Sequence, residues 1–136
     1  MAGYQTLEVY QRAYRMSLEI HRATQAFPNF EKHELGSQLR RAAVSITLNI
    51  AEGYGRRDSK AEFQHFLRTA LGSCNETLVL IEISKDLEYL TEEKYKEYCQ
   101  EYTVIGKQIY RLREAGAKPQ RPKPQRPKPQ RPITND

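Results

Sequence analysis

The chain has 136 residues, 38% hydrophobic and 29% charged, which suits one domain with its own core. No apolar run approaches the ~20 residues of a membrane span. The start, Met1-Ala2-Gly3-Tyr4-Gln5, lacks the basic and apolar stretches of a secretory signal, so a soluble, cytoplasmic protein is expected. The net charge of +5 is lopsided: residues 118–136 hold six of the 22 basic residues and one of the 17 acidic ones, leaving 16 of each in 1–117. The basic character therefore belongs to the C-terminal segment, and it gives no reason to assign nucleic-acid binding to the body.

The first helix is expected from Thr6 to Phe27. Val9, Ala13, Met16, Ile20, Ala23 and Phe27 recur at the 3–4 spacing of bundle core positions, and Leu7, Tyr10, Tyr14 and Leu18 form another stripe. Pro28 ends it, because proline disfavours helical geometry in the residue before it. The second helix runs from about Glu34 to Tyr54, with Gly53 and Gly55 supplying the permissive backbone of a helix end. It carries too much apolar surface for one core. At ~100° per residue Leu35, Leu39, Ala42, Ala43, Ile46 and Ile50 share one face, while Val44, Leu48 and Ala51 lie roughly opposite, beside Arg41, Ser45 and Glu52. A second apolar stripe needs a second cover, and an identical subunit supplies one. Arg41, Ser45 and Glu52, with Asn49 at the edge, are then candidates for a polar network that sets register in a subunit interface.

The third helix opens at Ser59, where Ser59-Lys60-Ala61-Glu62 fits a capping box, and ends near Lys85. Phe63, Leu67, Ala70, Cys74, Leu78 and Ile81 make its core stripe. The fourth opens at Thr91, with Glu92 and Glu93 favourably placed against the helix dipole. Tyr95, Tyr98, Tyr102, Ile105, Ile109 and Leu112 carry its core to about Glu114. No segment alternates like a strand, and short connections make neighbouring helices antiparallel. The expected architecture is all-α: an up-down-up-down four-helix bundle over 1–117.

After Gly116 the composition changes. Lys-Pro-Gln-Arg-Pro occurs three times in tandem from Lys118 to Pro132. Residues 118–136 are expected to be a disordered, extended tail, since proline blocks helix and there is almost nothing to bury. Its cations Lys118, Arg121, Lys123, Arg126, Lys128 and Arg131 are spaced to meet a phosphate backbone, with no interleaved aromatics to read bases. A solubilising extension without a partner is the alternative. The PxxP spacing also resembles ligands of SH3-type domains.

In the body, Arg40, Arg41, Arg56, Arg57 and Lys60 are the candidate nucleic-acid contacts. The turn at Arg56-Arg57-Asp58-Ser59-Lys60 adds the free N–H groups of a helix start. The competing reading pairs these cations with Glu52, Glu62 or Asp58. Catalytic signals are poor: His21, His33 and His65 are scattered without metal-ligand spacing, and Ser73-Cys74 lies mid-helix without a nucleophile elbow. Cys74 and Cys99 read as small core residues rather than a disulfide framework. No enzyme activity, cofactor or metal is expected.

Leu7-Glu8-Val9-Tyr10-Gln11-Arg12-Ala13, Phe27-Pro28, the run Gln38 to Ile46, Asn49-Ile50-Ala51-Glu52-Gly53, Glu62-Phe63 and Ala70-Leu71-Gly72-Ser73 with Glu76 together resemble one family. It is the four-helix bundle family named after proteins encoded in 23S rRNA intervening sequences. It is grouped with the accessory variability determinant of diversity-generating retroelements. The resemblance covers about Tyr4 to Glu114. It implies a homopentameric barrel without enzymatic activity and, for the retroelement relatives, binding to a reverse transcriptase and to RNA or DNA. Thr47 and Leu48 stand where the family commonly has a proline and a small polar residue, which would remove or soften a proline kink in the second helix. The tail repeat lies outside the family pattern. The expected function is a homo-oligomeric binding scaffold; the alternative is a purely structural self-assembling protein with an inert tail.

Overall fold

The four helical periodicities form four long helices in a computed structural model that describes residues 3–117. A 3-10 turn, Tyr4–Thr6, precedes α1 (Glu8–Thr24). A single helical turn, α2 (Asn29–Lys32), leads into α3 (Leu35–Gly55). Then come α4 (Lys60–Asp86) and α5 (Glu92–Ala117). No strand occurs among the described residues. The expectations for the tail fall outside these residues.

The helices pack in the cyclic order α1, α3, α4, α5, with the α3–α4 pairing most extensive and the α1–α5 pairing slight. The directions follow from pairs of touching residues. Ser45 meets Ser73 and Arg56 meets Glu62, so α4 runs backward along α3. Cys74 meets Tyr102 and Lys85 lies over Tyr95, so α5 runs backward along α4. Arg12 meets Glu101 and Glu19 meets Tyr98, which closes the bundle antiparallel. The core inside holds the expected α3 stripe, fully buried at Leu39, Ala43, Ile46 and Ile50, against Ile20, Leu67, Ile81, Tyr102, Ile105 and Ile109.

Three local features differ from the expected pattern. The first helix begins at Glu8, because Leu7 is extended, and it ends at Thr24. Gln25, Ala26 and Phe27 donate to carbonyls three residues back, tightening the chain ahead of Pro28. The Pro28 carbonyl then accepts from Glu31 and Lys32 and starts α2. The buried face of α4 also turns further toward α3 than the apolar stripe indicates: Ser73, Thr77, Leu80 and Ser84 are buried, while Leu78 is half-buried. Finally, α4 ends on Glu88 at φ 68°, with the Glu88 N–H bonded to the Lys85 carbonyl and the Tyr89 N–H to the Ser84 carbonyl. That is a Schellman end with glutamate in the left-handed position usually held by glycine.

The caps follow the sequence. Ser59 Oγ accepts from the Glu62 N–H at 3.3 Å, and Thr91 Oγ1 accepts from the Lys94 N–H at 3.1 Å. The box at Ser59 is one-sided, because the Ser59 N–H donates to the Arg56 carbonyl and the Glu62 carboxylate takes Arg56 instead. Through Thr47, α3 is unbroken. The Thr47 hydroxyl is buried and has no hydrogen-bond partner.

Candidate assembly and nucleic-acid surfaces

Residues of α3 that miss the core face outward between α1 and α4. Arg41, Val44, Leu48 and Glu52 succeed one another at helical spacing along this face. Leu48 is 62% exposed, Arg41 and Glu52 are exposed, and Val44 is half-buried. No described residue covers Leu48, and a leucine held open in mid-helix gains nothing for the monomer.

The polar members of the proposed interface divide into two sets. Ser45 and Asn49 turn toward α4. The Ser45 and Ser73 hydroxyls share a hydrogen bond at 2.8 Å, and Asn49 Nδ2 donates to the Ser45 carbonyl at 2.8 Å and to its hydroxyl at 3.1 Å. Their network closes within one chain, along the α3–α4 seam. Glu52 is held by Arg56 at 2.8 Å. Arg41 makes no ion pair among the described residues.

The five body cations also divide. Arg40 is half-buried and donates to Thr24 Oγ1 and to the Lys32 carbonyl, each at 2.9 Å, tying α1 and α2 to α3. Arg56 is clamped between Glu52 at 2.8 Å and Glu62 at 2.9 Å, and both carboxylates hold its guanidinium in the charged form by raising its pKa. These two are spent on the fold, as the pairing alternative for Arg56 expects. Arg57 is exposed; it donates to the Tyr54 carbonyl at 2.7 Å and lies 4.0 Å from the centre of the Tyr54 ring, leaving its charge without a carboxylate. Lys60 and Arg41 are exposed without such partners among the described residues.

The bundle brings Arg57 and Lys60 to the end where α5 finishes. Gly116 packs on the Phe63 ring so closely that an added Cβ has no room. Phe63 is the fourth residue of α4, so the described chain stops beside the α3–α4 turn. The tail cations therefore follow in sequence from the end that carries Arg57 and Lys60.

A second exposed stripe has no counterpart in the sequence expectations. Val79 (55% exposed) and Ile83 (41%) on α4 and Leu87 (49%) at its C-terminal cap follow at intervals of four. That spacing outside the core stripe was the signal available for them.

Elsewhere the chemistry is quiet. Burial raises the Cys74 thiol to about 11, and the thiol donates to the Tyr102 carbonyl at 3.3 Å. Burial also raises Cys99. Neither is held as a thiolate. Among the described residues no His, Cys, Asp and Glu gather in threes as a metal site needs, and no helix is long and apolar enough to cross a membrane.

No curated protein matches the chain. A solved structure from Bacteroides thetaiotaomicron, described as a protein with unknown function from the S23 ribosomal protein family, is similar to it. The two are 27% identical with a TM-score of 0.71, and the match covers 78% of this chain and 95% of that one. The sequence profile of the family described as 23S rRNA-intervening sequence protein matches residues 5–111, which include all of α1, α3 and α4 and most of α5. The chain belongs to the 23S rRNA-intervening sequence protein family.

Proposed function

We propose that this protein is a non-enzymatic scaffold that assembles with copies of itself through the outward face of α3. The observation that carries this reading is Leu48, 62% exposed at the middle of a face where Val44 stands one turn away. Burying one leucine contributes about 1.5–3 kcal/mol. Repeated around a closed ring, such contacts hold an assembly together. The copy number of five is taken from the family resemblance. Sedimentation of the full chain tests the assembly. The wild type should sediment as an oligomer, and Leu48→Lys as a monomer with unchanged far-ultraviolet circular dichroism. A monomeric wild type at tens of micromolar removes the reading.

Nucleic-acid binding is a second reading, supported by the convergence of Arg57 and Lys60 with the end from which the Lys-Pro-Gln-Arg-Pro segment continues. Five copies would present five such clusters, and multivalency turns weak phosphate contacts into useful avidity. Arg41 would contribute at the flank of the assembly face. A salt titration of binding to RNA and DNA tests it: affinity should fall steeply with salt and fall again when residues 118–136 are removed. Affinity indifferent to both rules it out. A reverse transcriptase as protein partner rests on the resemblance, and co-purification with one encoded nearby is its test.

A further inference from the structure

Between α4 and α5 an open groove of about 480 Å³ runs along the surface, away from the α3 face. Leu71 and Leu78 from α4 and Tyr102 and Gly106 from α5 line its apolar part, and Lys107 and Arg111 line its rim. No carboxylate lines it, and neither cation is ion-paired among the described residues. In a body whose formal charges cancel, this is a local surplus of two positive charges over apolar surface.

Gly106 makes the groove informative. It lies inside the 26-residue helix α5, where glycine is a poorer helix former than alanine. Packing does not require it: an added Cβ would meet only Cys74 Sγ, at 3.5 Å, an ordinary contact. Gly53, by contrast, has Phe66 Cβ at 3.1 Å and the Phe63 carbonyl at 3.4 Å in the same test. What the missing side chain at 106 does is leave the groove floor open.

We propose that this groove binds a free apolar carboxylate, its hydrocarbon part over Leu71, Gly106 and Leu78 and its carboxylate between Lys107 and Arg111. The charge pattern selects the ligand: the apolar floor takes a chain or ring, and two unpaired cations one helical turn apart take a single anionic head. The groove is independent of the assembly face on α3.

Dodecanoate, kept below its micelle concentration, is the probe, titrated into the full-length protein and followed by amide NMR. Saturable shifts centred on Leu71, Gly106 and Lys107 are expected, with one ligand per chain. The double charge reversal Lys107→Glu/Arg111→Glu should weaken binding by roughly 10-fold or more, the loss expected when charge-assisted contacts become repulsive. Gly106→Leu fills the floor while leaving both cations in place, and should abolish binding. Gly106→Ala is the folding control; it should keep the bundle folded and retain measurable binding. The proposal is overturned if dodecanol binds as tightly as dodecanoate, or if binding survives Gly106→Leu. It is equally overturned by binding to anionic phosphatidylglycerol vesicles without binding of monomeric dodecanoate, or by no saturable shift up to the solubility limit.

Discussion

The seams α3–α4 and α1–α5 lie on opposite sides of the bundle and are built from different chemistry. Small residues bring α3 and α4 together: Gly53 packs against Phe63, Phe66 and Leu67 with no room to spare, and Ser45 meets Ser73 across the seam. Short side chains let two helices approach closely along their length. Across α1–α5 the contacts are the tips of long side chains: Arg12 reaches Glu101 at 2.8 Å, and the Tyr98 hydroxyl reaches Glu19 at 2.9 Å. The first seam removes apolar surface from water, the dominant favourable contribution to folding. The second exchanges hydrated polar groups for paired ones, where the net gain is small. Stability should therefore concentrate in α3–α4, with α1–α5 closing the ring at little gain.

The strongest way to break this comparison is to hollow the α3–α4 side. Leu67 is fully buried, and a Cβ placed on Gly53 would lie 3.6 Å from Leu67 Cδ2. Leu67→Ala should cost about 2–5 kcal/mol by denaturant unfolding. Overpacking the same seam is the next test. At Gly53 a side chain must displace Phe66 Cβ and approach the Phe63 carbonyl, which is backbone and yields little. Gly53→Val should cost about 1–3 kcal/mol. If either loss is below ~0.5 kcal/mol, a level typical of surface changes, the seam is not where stability resides.

The same two seams show what the sequence makes legible. On α3 the apolar stripe is regular, and all six residues expected on its core face are buried, with Thr47 buried beside them. On α4 the periodicity favoured Leu78, but Thr77 and Ser84 are the buried neighbours. Each satisfies its own hydroxyl on the carbonyl four residues back, Ser73 and Leu80, at 2.8 Å. A polar residue that bonds to its own helix can be buried at little cost, and hydrophobic patterning cannot register it. Ser17 and Thr24 hide in α1 the same way, bonding to carbonyls three residues back. For the candidate surfaces, the excess stripe on α3 was visible because it is apolar. The pairing of Arg56 with Glu52 and Glu62 was legible as the competing reading of its charge, but the fate of Arg40 was not, since its partners are a hydroxyl on α1 and a backbone carbonyl on α2. The groove beside Gly106 was invisible because it exists only between two helices.

Tyr98 refines the α1–α5 side. Its ring is buried and its hydroxyl donates to Glu19, so Tyr98→Phe removes only the hydrogen bond and should cost about 1 kcal/mol. Burial, then the Glu19 bond, raises its pKa, and burial raises that of Tyr102 as well. An elevated folded-state pKa means the unfolded chain releases these protons first. Their contribution is complete below the ordinary tyrosine pKa of about 10 and is lost as pH rises above it. Unfolding midpoints should therefore fall from about pH 10 upward, and less steeply in Tyr98→Phe once its lower starting stability is subtracted. An alkaline slope unchanged in that variant would show that Tyr98 does not couple to folding.

Arg12 gives the smallest expected effect and the sharpest discrimination. It bonds Glu101 at 2.8 Å across the seam and Glu8 at 3.2 Å along its own helix, with about a quarter of its side chain exposed (28%) and the Glu8 side chain 67% exposed. The Arg12–Glu101 pair, each side chain 28% exposed, still borders water and gains only modestly from Coulomb attraction, while fixing two long side chains costs rotamer freedom. Salt should weaken even that little. The double-mutant cycle of Arg12→Gln and Glu101→Gln isolates the pair, and its coupling should be smaller than the loss in Tyr98→Phe and should vanish in molar salt. Charge pairing is then only a means of orienting α5 on α1, and apolar burial elsewhere holds the bundle. A coupling larger than the Leu67→Ala loss would invert that order, making the sparse seam the one that holds the fold.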